Sequence, residues 1–167
     1  RAAGGEAVVG PLDLANIGRA AAVRDPQGVV LVLLRIKVGD PADSVSAAAG
    51  QVVWNELLAA EDSAALEFYV RLAGFENRSD KRSGGVYHVL RSQGRDRAGV
   101  MLRPAEDITP VWLTHFAVEN VQAATGRAAG LGAEVLIAPS VDFREGMMAL
   151  VVDPSGAVCV LRQLEKQ

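Results

Sequence analysis

The chain is short of the residues from which disulfide frameworks, metal centres and membrane spans are built. Its 167 residues include one cysteine, Cys159, and two histidines, His88 and His115. A single cysteine excludes an internal disulfide and a cysteine-rich zinc site, and says little about compartment. The longest wholly apolar run, Val29 to Leu34, is far too short to span a bilayer as a helix. A basic excess is missing as well. Net charge is −3, and Lys and Arg gather only in Arg78–Arg82 and Arg91–Arg97, which read as solvated loops. A nucleic-acid-binding face is therefore not expected. The chain opens on Arg1 with no Met and no signal-like apolar stretch, which reads as a processed, trimmed or incomplete start. A cytoplasmic location is the default, with a periplasmic or lipid-anchored one open if an N-terminal segment is missing. What is present is the profile of a globular protein, 50% hydrophobic and 22% charged, long enough for one domain or one domain and part of another.

The main positive signal is internal repetition. Setting Asp25 beneath Asp153, a shift of 153 − 25 = 128, lays "VRDPQGVVLVLL" beneath "VVDPSGAVCVLR". Without a gap from Gly4 to Leu33, 12 of 30 positions are then identical. A fainter repeat at a shift of 58 lays "VWNELLAAED" on "VWLTHFAVEN" and Gly74 on Gly132. Met101–Arg103 matches Val160–Arg162 at a shift of 59.

Each unit of the shorter repeat reads alike. A β-rich run, Val52–Ala59 or Val111–Val118, precedes an N-cap residue, Asp62 or Asn120. An alanine-rich helix follows and ends at Gly74 or Gly132. In the first helix Leu66, Tyr69, Val70 and Ala73 make an apolar stripe. Three strands come next: near Phe75, Val86–Arg91 and Gly99–Arg103 in one unit, Glu134–Ala138, Met147–Val152 and Ala157–Arg162 in the other. The Asp-Pro-x-Gly turn suits the last hairpin, because Asp favours its first position, Pro fixes φ at the second and Gly suits the fourth. The unit is βαβββ, and two of them make an α+β domain over residues 52–163, with modules 52–104 and 110–163. Residues 1–39 hold only the latter part of such a module, with strands near Glu6–Val9, Ala20–Arg24 and Val29–Lys37. Residues 40–51, small, polar and punctuated by Gly and Pro, read as a linker. Orphan strands would leave an open sheet edge, so a homodimer through the partial module is an expectation.

Paired βαβββ units carrying "VWNELLAAEDSAALEFYVRLAGF", "FAVENVQAATGRAAGLGAEVLIAP" and the DPxG hairpin resemble the vicinal oxygen chelate superfamily. That group includes glyoxalase I, bleomycin-resistance proteins and extradiol dioxygenases, and the chain looks like its bacterial tandem glyoxalase-like members. The resemblance implies a mixed sheet curled around a concave pocket. It also implies where a divalent ion would sit, held by His, Glu or Gln on the first and last strands of each module. At the shift of 58 the first-strand positions are Asn55 and Leu113, and at the shift of 59 the last-strand positions are Met101 and Val160, with Val32 in the partial module. Amide, alkyl and thioether groups do not make a site for a catalytic divalent ion. No metal or other cofactor is therefore expected.

The expected role is metal-free binding of a small molecule in a cleft lined by Asn55, Leu57, Met101, Leu113, His115 and Val160. Two alternatives stay open: a metal-dependent lyase, isomerase or dioxygenase, and a structural partner of an active N-terminal domain. No catalytic residue or substrate is assigned. His115, two residues past Leu113, is a pocket hydrogen-bonder, a satisfied core residue or, if the register slips by two, a metal ligand. Arg103 and Arg162, at strand ends, either meet an anionic ligand or reach solvent. Glu56 is read as a structural acid facing the helix side, Trp54 and Trp112 as packing residues that repeat each other, His88 as structural or surface, and Cys159 as core.

Overall fold

The computed structural model describes residues 4–39, 43, 47–82 and 84–164. Of the expected linker, residues 40–42 and 44–46 lie outside the described residues, as does Arg1. The chain divides into two compact units, Arg1–Asp43 with Leu57–Trp112, and Ser44–Glu56 with Leu113–Gln167.

In the first unit β1 (Glu6–Leu14), β2 (Gly18–Arg24) and β3 (Val30–Ile36) form an antiparallel meander. Then follow β4 (Val52–Ala59), α1 (Asp62–Ala73), β5 (Glu76–Arg82), β6 (Gly85–Ser92) and β7 (Arg95–Leu102), with strand order β5-β6-β7-β4. The second unit has β8 (Val111–Val118), α2 (Val121–Gly130), β9 (Glu134–Ile137), β10 (Met148–Val152) and β11 (Val158–Gln163), with order β4-β8-β11-β10-β9. β4 and β8 each pass from one unit to the other, and β4 to β11 belong to one mixed sheet of eight strands. With two helices this is an α+β architecture of βαβββ modules. Among the described residues no helix is long and apolar enough to cross a membrane.

The longer repeat holds to the level of backbone pairing. Arg24 pairs with Val30 and Ala22 with Val32, as Val152 pairs with Val158 and Leu150 with Val160. Glu6–Arg24, Ala7–Val23 and Val9–Ala22 match Glu134–Val152, Val135–Val151 and Ile137–Leu150, including the register shift before the last pair. An irregularity reproduced in both copies is part of the fold.

The shorter repeat has a spacing of 59, not 58, through its first strands and helix starts. β4 begins at Val52 and β8 at Val111, a difference of 111 − 52 = 59. The N-cap residues Glu61 and Asn120 keep that difference, 120 − 61 = 59. The helix ends fall to a spacing of 130 − 73 = 57, because α1 has 12 residues and α2 has 10, and the strands that follow, β5 from Glu76 and β9 from Glu134, return to 134 − 76 = 58. The N-cap of α1 is thus Glu61, and Asp62 is the first helical residue. Glu61 lends no side-chain bond, whereas Asn120 Oδ1 accepts the Ala123 N–H at 2.8 Å. Gly74 ends α1 in the left-handed conformation at φ 68°, donating its N–H to Val70 O.

Ala65, Phe68 and Tyr69 of α1 pack with Leu57, Ala59, Leu90, Ala98 and Val100, and Val29, Leu31 and Leu72 close in around them. Burying a side chain such as Phe68 contributes about 1.5–3 kcal/mol. Ala73, expected in the apolar stripe, is exposed; the buried face turns toward Ala65 and Phe68 instead. Close packing also explains Gly5, where a Cβ would lie 2.6 Å from Phe68 Cε2. The basic stretches are not loops. Arg78–Arg82 is on β5 and Arg91–Arg97 spans the β6–β7 hairpin. Their charge is neutralised locally, in Arg78–Asp96, Arg91–Asp96 and Arg97–Asp43 ion pairs.

Candidate functional site

In the second unit the pairing registers assign side chains to faces. β11 runs parallel to β8 with Val160 opposite His115 and Arg162 opposite Ala117. β10 runs antiparallel to β11 with Leu150 opposite Val160 and Met148 opposite Arg162. Opposed residues share a face, so His115, Val160, Leu150, Arg162 and Met148 stand together, with Leu113 two residues before His115. Thr114, Cys159, Val151, Leu161 and Ala149 stand on the other. There Ala149 and Val151 are buried, while Met148 and Leu150 on the first face are half-buried. α2 contacts β9, β10 and β11, and this alternation puts it over the Ala149–Val151 face. The His115 face is the one without a helix.

His115 is 4% exposed, yet neither ring nitrogen has a hydrogen-bond partner among the described residues. Burial first, then the positive fields of Arg162 and Arg144, push its pKa down to about 4. The ring is therefore neutral near pH 7, with one N–H donor and one lone pair. Arg144 reaches this environment from a short 3-10 turn, Arg144–Gly146, between β9 and β10. Arg144 and Glu145 are both left-handed, at φ 50° and 56°, a conformation that costs ordinary residues about 1 kcal/mol or more.

Leu113, His115, Val160 and Arg162 thus share one face within the second unit. Leu57, Met101 and Arg103 belong to the first unit. Leu57 is fully buried among Ala65, Phe68 and Leu90, so it is a core residue on the α1 side of β4 and not a cleft residue. By alternation Asn55 shares its side, and Glu56, 9% exposed, points the other way, the reverse of the face first assigned to it. Asn55 Oδ1 accepts the Thr114 hydroxyl at 3.1 Å, and these two are true counterparts at the spacing of 59. Trp54 then corresponds to Leu113 instead of Trp112, and Glu56 to His115. Arg103 donates to Ile108 O at 2.8 Å, which fixes the loop after β7. His88 lies between Ser79 Oγ and Asp62 Oδ2 at 2.8 and 3.3 Å, a structural setting. Cys159 is half-buried, and burial, then the Asp153 charge, raises its pKa, which leaves the thiol inert.

Arg144 and Leu150 were not singled out from the sequence. The longer repeat carries a signal for Arg144: its counterpart is Asn16, also left-handed at φ 66°. Asn suits that conformation and Arg does not.

A divalent ion of the kind the fold family uses does not fit these residues. At the spacing of 59 the positions read Trp54, Met101, Leu113 and Val160, or Asn55, Met101, Thr114 and Val160 if Asn55 is kept. Neither set offers a carboxylate or imidazole, and the register that puts His115, opposite Val160, in the ligand position pairs it with Glu56 alone, two donors beside a thioether and an alkyl group. Among the described residues no three of His, Cys, Asp and Glu gather to hold a metal.

No family model matches the sequence. The chain is 30% identical over 156 residues to the Mycobacterium tuberculosis (strain CDC 1551 / Oshkosh) protein named "Putative glyoxylase CFP32", covering 93% of this chain and 59% of that protein. It is 32% identical over 156 residues to the anthracycline biosynthesis protein DnrV of Streptomyces peucetius, covering 93% and 56%. It therefore spans less than three-fifths of the length of these relatives. Among solved structures, the Mn(II)-bound glyoxalase from Novosphingobium aromaticivorans superposes with a TM-score of 0.59 at 16% identity, over 97% of this chain and 55% of that one. The 2,3-dioxygenase LapB from Pseudomonas sp. KL28 gives 0.59 at 16% identity, over 96% and 64%. Streptomyces coelicolor methylmalonyl-CoA epimerase gives 0.51 at 18%, over 72% and 100%. Likeness at these identities is likeness of fold.

Proposed function

We infer that this chain, which belongs to the vicinal oxygen chelate superfamily, is a glyoxalase-like protein that binds a small organic molecule without a divalent metal. The binding surface is the helix-free face of β8, β10 and β11. The observation that carries this is His115, buried with both ring nitrogens unpartnered on a face that is otherwise largely apolar. A buried polar group without a partner in the folded chain is one that a ligand or water satisfies. The donor chemistry of Trp54, Met101, Leu113 and Val160 supports the metal-free part of the reading.

The test is elemental analysis with ligand titration. Protein expressed with added metals and desalted without chelator should carry well under one equivalent of any divalent ion. Small-molecule binding that moves the His115 resonances should persist in excess EDTA. Stoichiometric metal, or binding abolished by EDTA, overturns this reading. A second reading is favoured by the coverage of the relatives. In a longer protein this domain would partner a preceding one that does the chemistry, and activity would then need both. The homodimer expected through the partial module belongs to this proposal too, on the exposed Val8, Leu12, Val32 and Leu34 of β1 to β3, and light scattering measures it.

A further inference from the structure

We propose that the helix-free face of the second unit binds an organic acid through its carboxylate, with Arg162 and Arg144 taking the oxygens and His115 donating a ring N–H. This rests on the small-molecule reading above and names the class of ligand.

Four observations carry it. His115 is buried, and neither ring nitrogen has a partner among the described residues. Among the described residues, neither Arg162 nor Arg144 forms an ion pair, whereas seven other arginines do; of the four more that do not, Arg35, Arg82 and Arg103 belong to the first unit and Arg127 to α2. Two guanidiniums outside any ion pair beside a largely buried face raise the local potential and select against cations. An imidazole there is a neutral donor that adds a hydrogen bond without adding repulsion.

The third observation is the backbone of Arg144. The left-handed position that Asn16 occupies in the other copy is held here by arginine, and Glu145 beside it is left-handed as well. The side chain carried by this strained backbone is the second guanidinium, whose positive field acts on His115. Fourth, although alternation also puts Glu56 of β4 on this side of the sheet, the residues of β8, β10 and β11 beside His115, namely Leu113, Leu150, Val160 and Met148, are apolar. They suit the carbon body of an acid better than a bare inorganic anion. Anion sites made from backbone donors differ in kind, and the N-terminus of α2 is already closed by Asn120 Oδ1. A guanidinium is matched to a carboxylate by its planar fork, so the class of ligand follows from the donors.

The chain has two histidines, so ¹⁵N-histidine labelling reports on His115 directly, with His88 as an internal reference held by Ser79 and Asp62. The probes are 3-phenylpropionate, its uncharged amide, and inorganic phosphate, titrated to the millimolar range that fragments of this size reach. The expected result is saturable movement of the His115 signals by the acid, with the amide weaker by about tenfold or more. Arg162→Gln and Arg144→Gln should each weaken the acid by about tenfold and leave the amide unchanged. Should Arg162→Gln fail to fold, Arg162→Lys keeps the charge but loses the fork and should fall between, and Arg144→Gln lies in a turn outside the strands.

If acid and amide bind equally at His115, the carboxylate proposal fails and the small-molecule reading stands. If phosphate alone moves His115, the site takes an inorganic anion and the proposal also fails. If none of the three moves His115, the proposal and the small-molecule reading fall together.

Discussion

The two units bury polar groups in opposite ways. In the first, Asp25 is 4% exposed and both its oxygens are taken. Oδ1 accepts the N–H groups of Gln27 and Val29, each at 2.9 Å, and Oδ2 accepts the Tyr69 hydroxyl at 2.9 Å. Tyr69 in turn accepts the indole N–H of Trp112 at 3.0 Å, and its ring stands edge-to-face with Phe68 and Trp112. Burial raises the pKa of the Tyr69 hydroxyl; the Trp112 hydrogen bond pulls it the other way and the Asp25 charge adds to the rise, so the group stays a donor. In the second unit His115 is equally buried and has no partner among the described residues. A saturated group of this kind joins elements of the fold, here the β2–β3 turn to α1. An unsaturated one marks a place kept for something else.

Breaking the saturated side should have the largest effect. Asp25→Ala removes the acceptor for three hydrogen bonds and leaves the Tyr69 hydroxyl buried without one. It should cost about 3 kcal/mol in denaturant unfolding. Asp153, in the sister turn, makes the same backbone bonds to Ser155 and Ala157 but is exposed and holds only the local Ser155 hydroxyl besides. Asp153→Ala should cost about 1 kcal/mol. Equal costs would mean that the turn, and not the junction with α1, is what Asp25 supplies.

The unsaturated side shows itself in pH dependence. His115 has an ordinary pKa of 6.5 when unfolded and about 4 when folded. Between those values the unfolded chain binds more protons, so stability falls as pH drops from about 6.5 to about 4 and is flat above. The loss across the window should be about 3 kcal/mol. Unfolding at a series of pH values, compared with His115→Gln, isolates it. The Asp43 and Asp153 carboxyls, held below the usual range by Arg97 and by the Ser155 hydroxyl, affect lower pH and cancel in the difference. Identical profiles for the two proteins would mean that His115 finds a partner for its charged form.

The same contrast governs how much the sequence reveals. The longer repeat is legible because its turn residues are under strict backbone demands, and the pairing register follows the alignment down to the irregularity. The shorter repeat misleads by one residue. Gly74 and Gly132 anchor the eye at the helix ends, but α1 is two residues longer than α2, and the strands answer to Glu61 and Asn120. A one-residue slip exchanges strand faces. That slip placed Leu57 in a cleft, turned Glu56 toward the helix and paired Trp54 with Trp112. On β8 the alternation alone decides, and the parallel register sets Val160 opposite His115, with Leu113 and Arg162 on the same face. Arg144 has no periodicity to betray it; only the backbone it shares with Asn16 marks it.

A smaller cut separates the members of the Asp25 network. Tyr69→Phe keeps the ring contacts at 5.0 and 5.3 Å and removes only the oxygen. Asp25 Oδ2 and the Trp112 indole each lose one bond, so the cost should be about 1–2 kcal/mol, with Trp112 fluorescence altered by release of its N–H. A cost as large as that of Asp25→Ala would mean that the hydroxyl alone carries the junction.

The smallest effect should come from the residue that looks most functional. His115→Leu keeps the side chain's approximate size and removes two polar atoms that have no partners, so nothing paired is broken. Replacing an unsatisfied buried polar group by an apolar one is close to neutral or stabilising. At pH 7.5, above the titration window, unfolding free energy should stay within about 0.5 kcal/mol of the native chain or rise. Binding of 3-phenylpropionate, followed by displacement of a fluorescent acid, should weaken with it. A loss above about 2 kcal/mol would show that the imidazole is already satisfied in the folded chain. His115 would then be a joint like Asp25, and the difference between the two units would disappear.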